Sequence, residues 1–160
     1  MYLACQLLWD SKQNPNEIIN EFYQLYFAEC AQPMKDYYLM LHDISTFSTN
    51  SGYVAPTKDW TPAFFAKLGT KLTEAEKLAK QDVVKRRLVR ERKRLIALSL
   101  AAAPYRFAEE WTSKGDKAAR AQALLATDLA INYLRGIAGQ DIVCQDVMIK
   151  YLEKLRAKLK

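Results

Sequence analysis

The sequence predicts an all-α protein, a bundle of about six or seven helices with antiparallel neighbours. Three observations carry this. Glycine and proline are scarce, 5 of each in 160 residues, which leaves little material for tight turns. Ala, Leu, Lys, Glu and Gln, all good helix formers, are abundant. Apolar residues recur at spacings of three and four through most of the chain, and no strand-like alternation runs for more than a few residues. Half of the residues are hydrophobic and 26% are charged, enough for one sizeable core and against global disorder.

The elements follow in order. YLACQLLW reads as helix with Leu3, Leu7 and Leu8 at core spacing, and no capping residue precedes it. That start resembles a cut into an existing helix and predicts a fragment of a larger protein. SKQNPN is a polar turn. Asn14 ahead of Pro15, or Asn16 as the cap, opens a second helix whose apolar face is Ile18, Ile19, Phe22, Tyr23, Tyr26 and Phe27. Pro33 opens a third, with Met34, Tyr37, Tyr38, Leu41 and Ile44 inward. Residues 48–60 form the longest irregular stretch, rich in Gly, Pro, Asn and Ser.

Pro62 then begins a short helix that ends at Gly69, and Thr73 with Glu76 has the T-x-x-E spacing of a capping box for the next one. A long helix runs from about Asp82 to Ala103, and Pro104 kinks or ends it before a last section to Trp111. Another spans about Asp116 to Arg135, closed by Gly136 and Gly139. The final helix covers roughly Ile142 to Leu159, with Val143, Val147, Tyr151, Leu152 and Leu155 inward. Short connections imply antiparallel neighbours. The expected organisation is one helical domain over 1–160: three helices in 1–48, a loop and short helix in 49–72, and a long-helix bundle in 73–160.

Charge is concentrated. Residues 80–94 hold eight Lys or Arg against Asp82 and Glu91, so this segment alone accounts for the net charge of +6. On a helical wheel Val84, Leu88, Leu95, Leu98 and Ala102 share a stripe, and Arg86, Arg87, Arg90, Lys93 and Arg94 lie on the opposing arc. Such a face serves either as a solvated helix exterior or as a polyanion site using Arg86, Arg90, Lys93 and Arg94. No helix-turn-helix, zinc-finger or basic-zipper spacing accompanies it, and no aromatics interleave with the arginines to stack bases, so nucleic acid is the secondary reading. Glu91 falls inside the apolar stripe, and an ion pair with Arg87 or Arg94 is expected to satisfy it.

Catalytic signatures are missing. His42, the single histidine, has no Cys or carboxylate at ligand spacing, so no metal or cofactor is expected; it is read as a partly buried helix residue. There is no G-x-S-x-G elbow and no glycine-rich phosphate loop. Cys5, Cys30 and Cys144 are odd in number and widely spaced, and are expected to be buried small hydrophobes. Glu109 and Glu110 are adjacent on a helix and face different directions, which does not suit paired-carboxylate chemistry. Tyr53 and Trp60, in or beside the long loop, are the candidates for stacking on a sugar, although such residues also anchor loops. No apolar run approaches the roughly 18 residues a membrane span needs.

Leu7-Leu8-Trp9-Asp10, then Ile19, Glu21, Phe22, Tyr23 and Tyr26, then Tyr37, Tyr38, Leu41 and His42, together form a pattern over residues 2–43. It resembles the C-terminal region of a family of large bacterial proteins classed as a domain of unknown function. Where that family tends to have Gly-x-Ala-Ala, this chain has Phe27-Ala28-Glu29-Cys30-Ala31. The resemblance implies a glycoside-hydrolase-like (β/α)8 barrel upstream, similar in layout to α-glucuronidases, and a periplasmic or cell-surface setting. It makes residues 1–160 a non-catalytic helical module that packs on the barrel, with homo-oligomer contacts and carbohydrate, through the parent, as further expected partners. Barrel enzymes carry their catalytic groups at strand ends, and this chain holds no barrel strand.

Overall fold

A computed structural model describes residues 2–45, 60–137 and 145–160 of the chain. Among these residues there are seven α-helices, one 3-10 helix and no strand: α1 (Tyr2–Trp9), α2 (Pro15–Phe27), the 3-10 helix η1 (Ala28–Cys30), α3 (Ala31–Ser45), α4 (Pro62–Leu78), α5 (Asp82–Lys114), α6 (Lys117–Gly136) and α7 (Gln145–Leu159). The all-α expectation holds, including the long helix.

Local chemistry explains the boundaries. Asn14 caps α2 by accepting from the Asn16 N–H at 3.0 Å, and Pro15 takes the first helical position, where a missing N–H costs nothing. Thr61 caps α4, accepting from the Phe64 N–H at 3.2 Å ahead of Pro62. Asp116 caps α6 through the Ala118 N–H at 2.8 Å. Gly115 ends α5 at φ 66°, a left-handed position glycine adopts without a Cβ penalty. Between α2 and η1 the chain turns at Ala28, a non-glycine residue at φ 48°.

Three expectations are corrected. Gly69 does not end a helix and Thr73 does not start one, because α4 runs unbroken from Pro62 to Leu78. Leu68, Leu72 and Ala75 keep one buried stripe in phase across the glycine. The Thr73 hydroxyl donates back to the Gly69 carbonyl at 2.9 Å, a mid-helix bond rather than a cap. In α7 Leu152 is buried as predicted, together with Met148 and Leu159, and Leu155 is partly buried, while Val147 and Tyr151 are exposed instead of inward; Val143 lies outside the described residues. Leu8 points outward on α1 instead of into a core.

The 33 residues of α5, roughly 50 Å at 1.5 Å per residue, form a spine between two cores. Val84, Leu88 and Leu95 pack with Phe27, Met34, Tyr37 and the α4 stripe. Ala97 and Ala101 pack instead with Ala130, Ile131, Leu134, Met148 and Leu152 of α6 and α7. At about 100° per residue, Ala97, Ala101 and the buried Pro104 fall roughly on the side of α5 opposite Val84 and Leu88. The buried surface of α5 therefore widens past Leu95, since Ala102, in phase with Val84, is buried as well, and α5 continues through Pro104 to Lys114.

Polar contacts tie η1 to α4 and to the start of α5. The buried Cys30 thiol donates to the Ala75 carbonyl at 3.1 Å, and burial pushes its pKa up, so it rests as a neutral thiol. This agrees with the reading of Cys30 as a small core residue. Cys5, in contrast, is exposed, and Cys144 lies outside the described residues.

Glu29 acts as a remote cap. Gln81, the residue flanking α5, makes no side-chain cap bond. The Lys80 N–H donates to Glu29 Oε1 instead, and the Gln81 N–H does so at 3.3 Å. The Lys80 N–H, followed by other main-chain donors, holds the Glu29 carboxyl below its ordinary value of 4.5. A depressed carboxyl gives its stability above the unfolded value and loses it as pH falls through the folded one, since the unfolded chain then binds more protons. The urea midpoint is expected to fall as the pH drops below about 4.5, and Glu29→Gln should flatten that acid limb while lowering the midpoint at pH 7.

Candidate functional site

The only candidate assembly that the sequence marks within the described residues is the arginine-rich first half of α5, and the geometry shows where its cations go. Along α2, Phe22 stacks on Tyr26 and Tyr23 on Phe27, with Tyr26 edge-to-face on Phe27. The Arg87 guanidinium lies 3.8 Å from the centre of that ring and also donates to the Tyr26 carbonyl. Arg90 donates to the Tyr26 hydroxyl at 2.7 Å. A single tyrosine thus engages two arginines, through its ring, its carbonyl and its phenol.

On the α4 side, Arg92 grips Glu76 with two nitrogens, Nε at 3.0 Å and Nη2 at 2.6 Å, and reaches Thr73 Oγ1 at 3.1 Å. That fork geometry is the stronger form of carboxylate pairing. The Thr73/Glu76 pair, read as a capping box, is therefore a receptor for Arg92. Gly69 fits the same place: a Cβ there would stand 3.8 Å from Arg92 Nη1 and 4.0 Å from Leu95, so α5 passes close to this point of α4. Lys85 pairs with Asp82 at 3.6 Å in the first turn of α5.

Glu91 lies 5% exposed among the apolar residues of the first core, as its place in the stripe predicts. Of the two expected partners it pairs with one, Arg94. Arg94 Nη1 stands 3.8 Å from Glu91 Oε2, whereas Arg87 turns away to Tyr26. The Tyr38 hydroxyl, from α3, donates to the Glu91 carboxylate. Burial first, and then the Glu91 charge, pushes the Tyr37 and Tyr38 phenols far above their ordinary range, so both remain protonated donors.

Of the four residues proposed for a polyanion, Arg90 and Arg94 are thus engaged with Tyr26 and Glu91, Lys93 is half-buried, and Arg86 is exposed on the outer arc. The four do not converge as one free cationic patch. For sugar stacking, Trp60 is 6% exposed, packed edge-to-face on Phe65 with ring centres 5.8 Å apart. It anchors the start of α4, and Tyr53 lies outside the described residues. His42 is exposed rather than partly buried. Among the described residues no three His, Cys, Asp or Glu side chains are placed to hold a metal ion, and no helix is long and apolar enough to cross a membrane.

Sequence reasoning missed Tyr26, Tyr38 and Glu29 as polar partners. The first two were assigned to the core by their spacing, and nothing local in the sequence marks a hydroxyl or carboxylate that acts on a residue 52 or 64 positions away. No family model, curated protein or solved structure matches the chain. The class that the geometry defines is an all-helical bundle built on one shared helix.

Proposed function

We propose that the chain is a non-catalytic helical packing module whose α1–α2 side docks on another folded body. The observation that carries this is Leu8, 87% exposed on a helix that contains one polar residue, Gln6, and no charge. A helix apolar nearly all round is stable in water only when it is covered. The main neighbour of α1 is α2, and α2 itself presents Leu25 at 68% exposure. By the resemblance in residues 2–43, the covering body is a glycoside-hydrolase-like barrel in the same protein. Carbohydrate chemistry then belongs to that barrel, and this module contributes packing or dimer contacts.

Without its cover the 160-residue chain should associate with itself. Sedimentation velocity across a concentration series is expected to show a rising weight-average coefficient, and Leu8→Glu combined with Leu25→Glu should restore the monomer. A strictly monomeric profile at the highest concentration would sink the proposal.

A further inference from the structure

Arg86 is exposed and makes no hydrogen bond, ion pair or ring contact among the described residues. Its surroundings follow from how α2 meets α5. The two helices run antiparallel, since Tyr26 reaches Arg87 and Arg90 while Glu29, further along the chain, reaches Lys80 and Gln81. At about 100° per residue, Phe27 and Tyr23 turn to one side of Tyr26 on α2, into the first core, and Phe22 and Leu25 turn to the other. On α5, Val84 and Leu88 turn to the core side of Arg87 and Arg90, and Arg86 turns to the opposite side. The two non-core sides therefore form one outer surface. Across it the order runs Arg86, then Phe22 and the 68% exposed Leu25, then the exposed Glu21 and Glu17 further around α2.

We infer that this strip is a two-fold interface between copies of the chain, with Leu25 against Leu25 at its centre and Arg86 of each copy on the Glu17–Glu21 edge of the other. The inference rests on the reading that the α1–α2 side is covered. It assigns the α2 part of that side to a second copy and leaves Leu8 on α1 to the other folded body. Charge complementarity selects the occupant. A strip ordered cation, apolar, anion is its own complement: a half-turn about its apolar middle lays each end on the opposite charge, and every contact is made twice. An anionic polymer would meet Glu17 and Glu21 on the same strip, and a neutral apolar partner would desolvate Arg86 without a counterion. Exposed ion pairs are weak singly, so the apolar centre supplies most of the affinity and the charges set the orientation.

Sedimentation equilibrium of the full chain tests the interface in the Leu8→Glu background, where α1 carries a charge on its outward side. A dimer is expected as the end state. Its dissociation constant should rise with added salt and rise about tenfold in Arg86→Glu, at unchanged helix content. Adding Glu21→Arg to Arg86→Glu exchanges the two charges and should bring the constant back toward its starting value. Four outcomes would overturn the two-fold while leaving the docking reading intact: a Leu8→Glu monomer when the wild type associates, association that runs past the dimer, a dimer indifferent to salt and to Arg86→Glu, or a loss in Arg86→Glu that Glu21→Arg does not repair. A wild-type chain that stays monomeric at every concentration would overturn both.

Discussion

Leu88→Ala is expected to destabilise the fold by about 2–5 kcal/mol, the range for a large-to-small change at a buried leucine. Leu88 is almost wholly buried, in a core cluster with residues drawn from α2, α3 and α4, so the loss combines transfer energy with an unfilled cavity. Val89, the next residue, is the internal control. It is more than half exposed, and Val89→Ala removes little burial while improving helix propensity, so it should stay within about 0.5 kcal/mol of the wild type. Urea unfolding of the two variants checks the phase of α5 directly. Equal effects would mean that the helix is rotated from the orientation described.

Glu91→Leu is the second large effect, expected to cost about 2–4 kcal/mol. The carboxylate is buried, and its removal strands the Tyr38 hydroxyl and leaves Arg94 without its counterion. A buried charged network is costly to half-dismantle and far less costly to replace whole. Tyr38→Phe in the Glu91→Leu background should therefore recover part of the loss, since the stranded donor is gone. A double-mutant cycle measures this. Strict additivity would show that Tyr38 and Glu91 do not act as a pair.

How legible this was from sequence depends on the range of each interaction. The α5 stripe of Val84, Leu88 and Leu95 was readable because helical periodicity is a local property, and the same wheel put Glu91 inside. The helix starts near Asn14, Pro62 and Asp116 were readable for the same reason. Thr73 and Glu76 misled because a T-x-x-E spacing also occurs within a helix, and the continuous Leu68–Leu72–Ala75 stripe outweighs it. The second buried side of α5 beyond Leu95 was half visible: Ala97 and Ala101 are small, and small residues on an apparently outer face look like solvent positions until α6 is placed against them. The partners of the arginines were not visible, since Tyr26 and Glu76 reach α5 only through the tertiary arrangement.

The basic run at 85–94 is accordingly a set of struts. Arg87 and Arg90 fasten α2 through Tyr26, Arg92 fastens α4 through Glu76 and Thr73, and Arg94 accompanies Glu91. Cations spent this way are poorly placed for a row of phosphates, whose binding would require several of them free at once.

Titration of labelled heparin with the intact chain at physiological salt tests this most directly. No micromolar binding is expected. Micromolar or tighter binding that weakens steeply with added salt, and is lost when Arg86, Arg90 and Arg94 are changed to Ala, would contradict it.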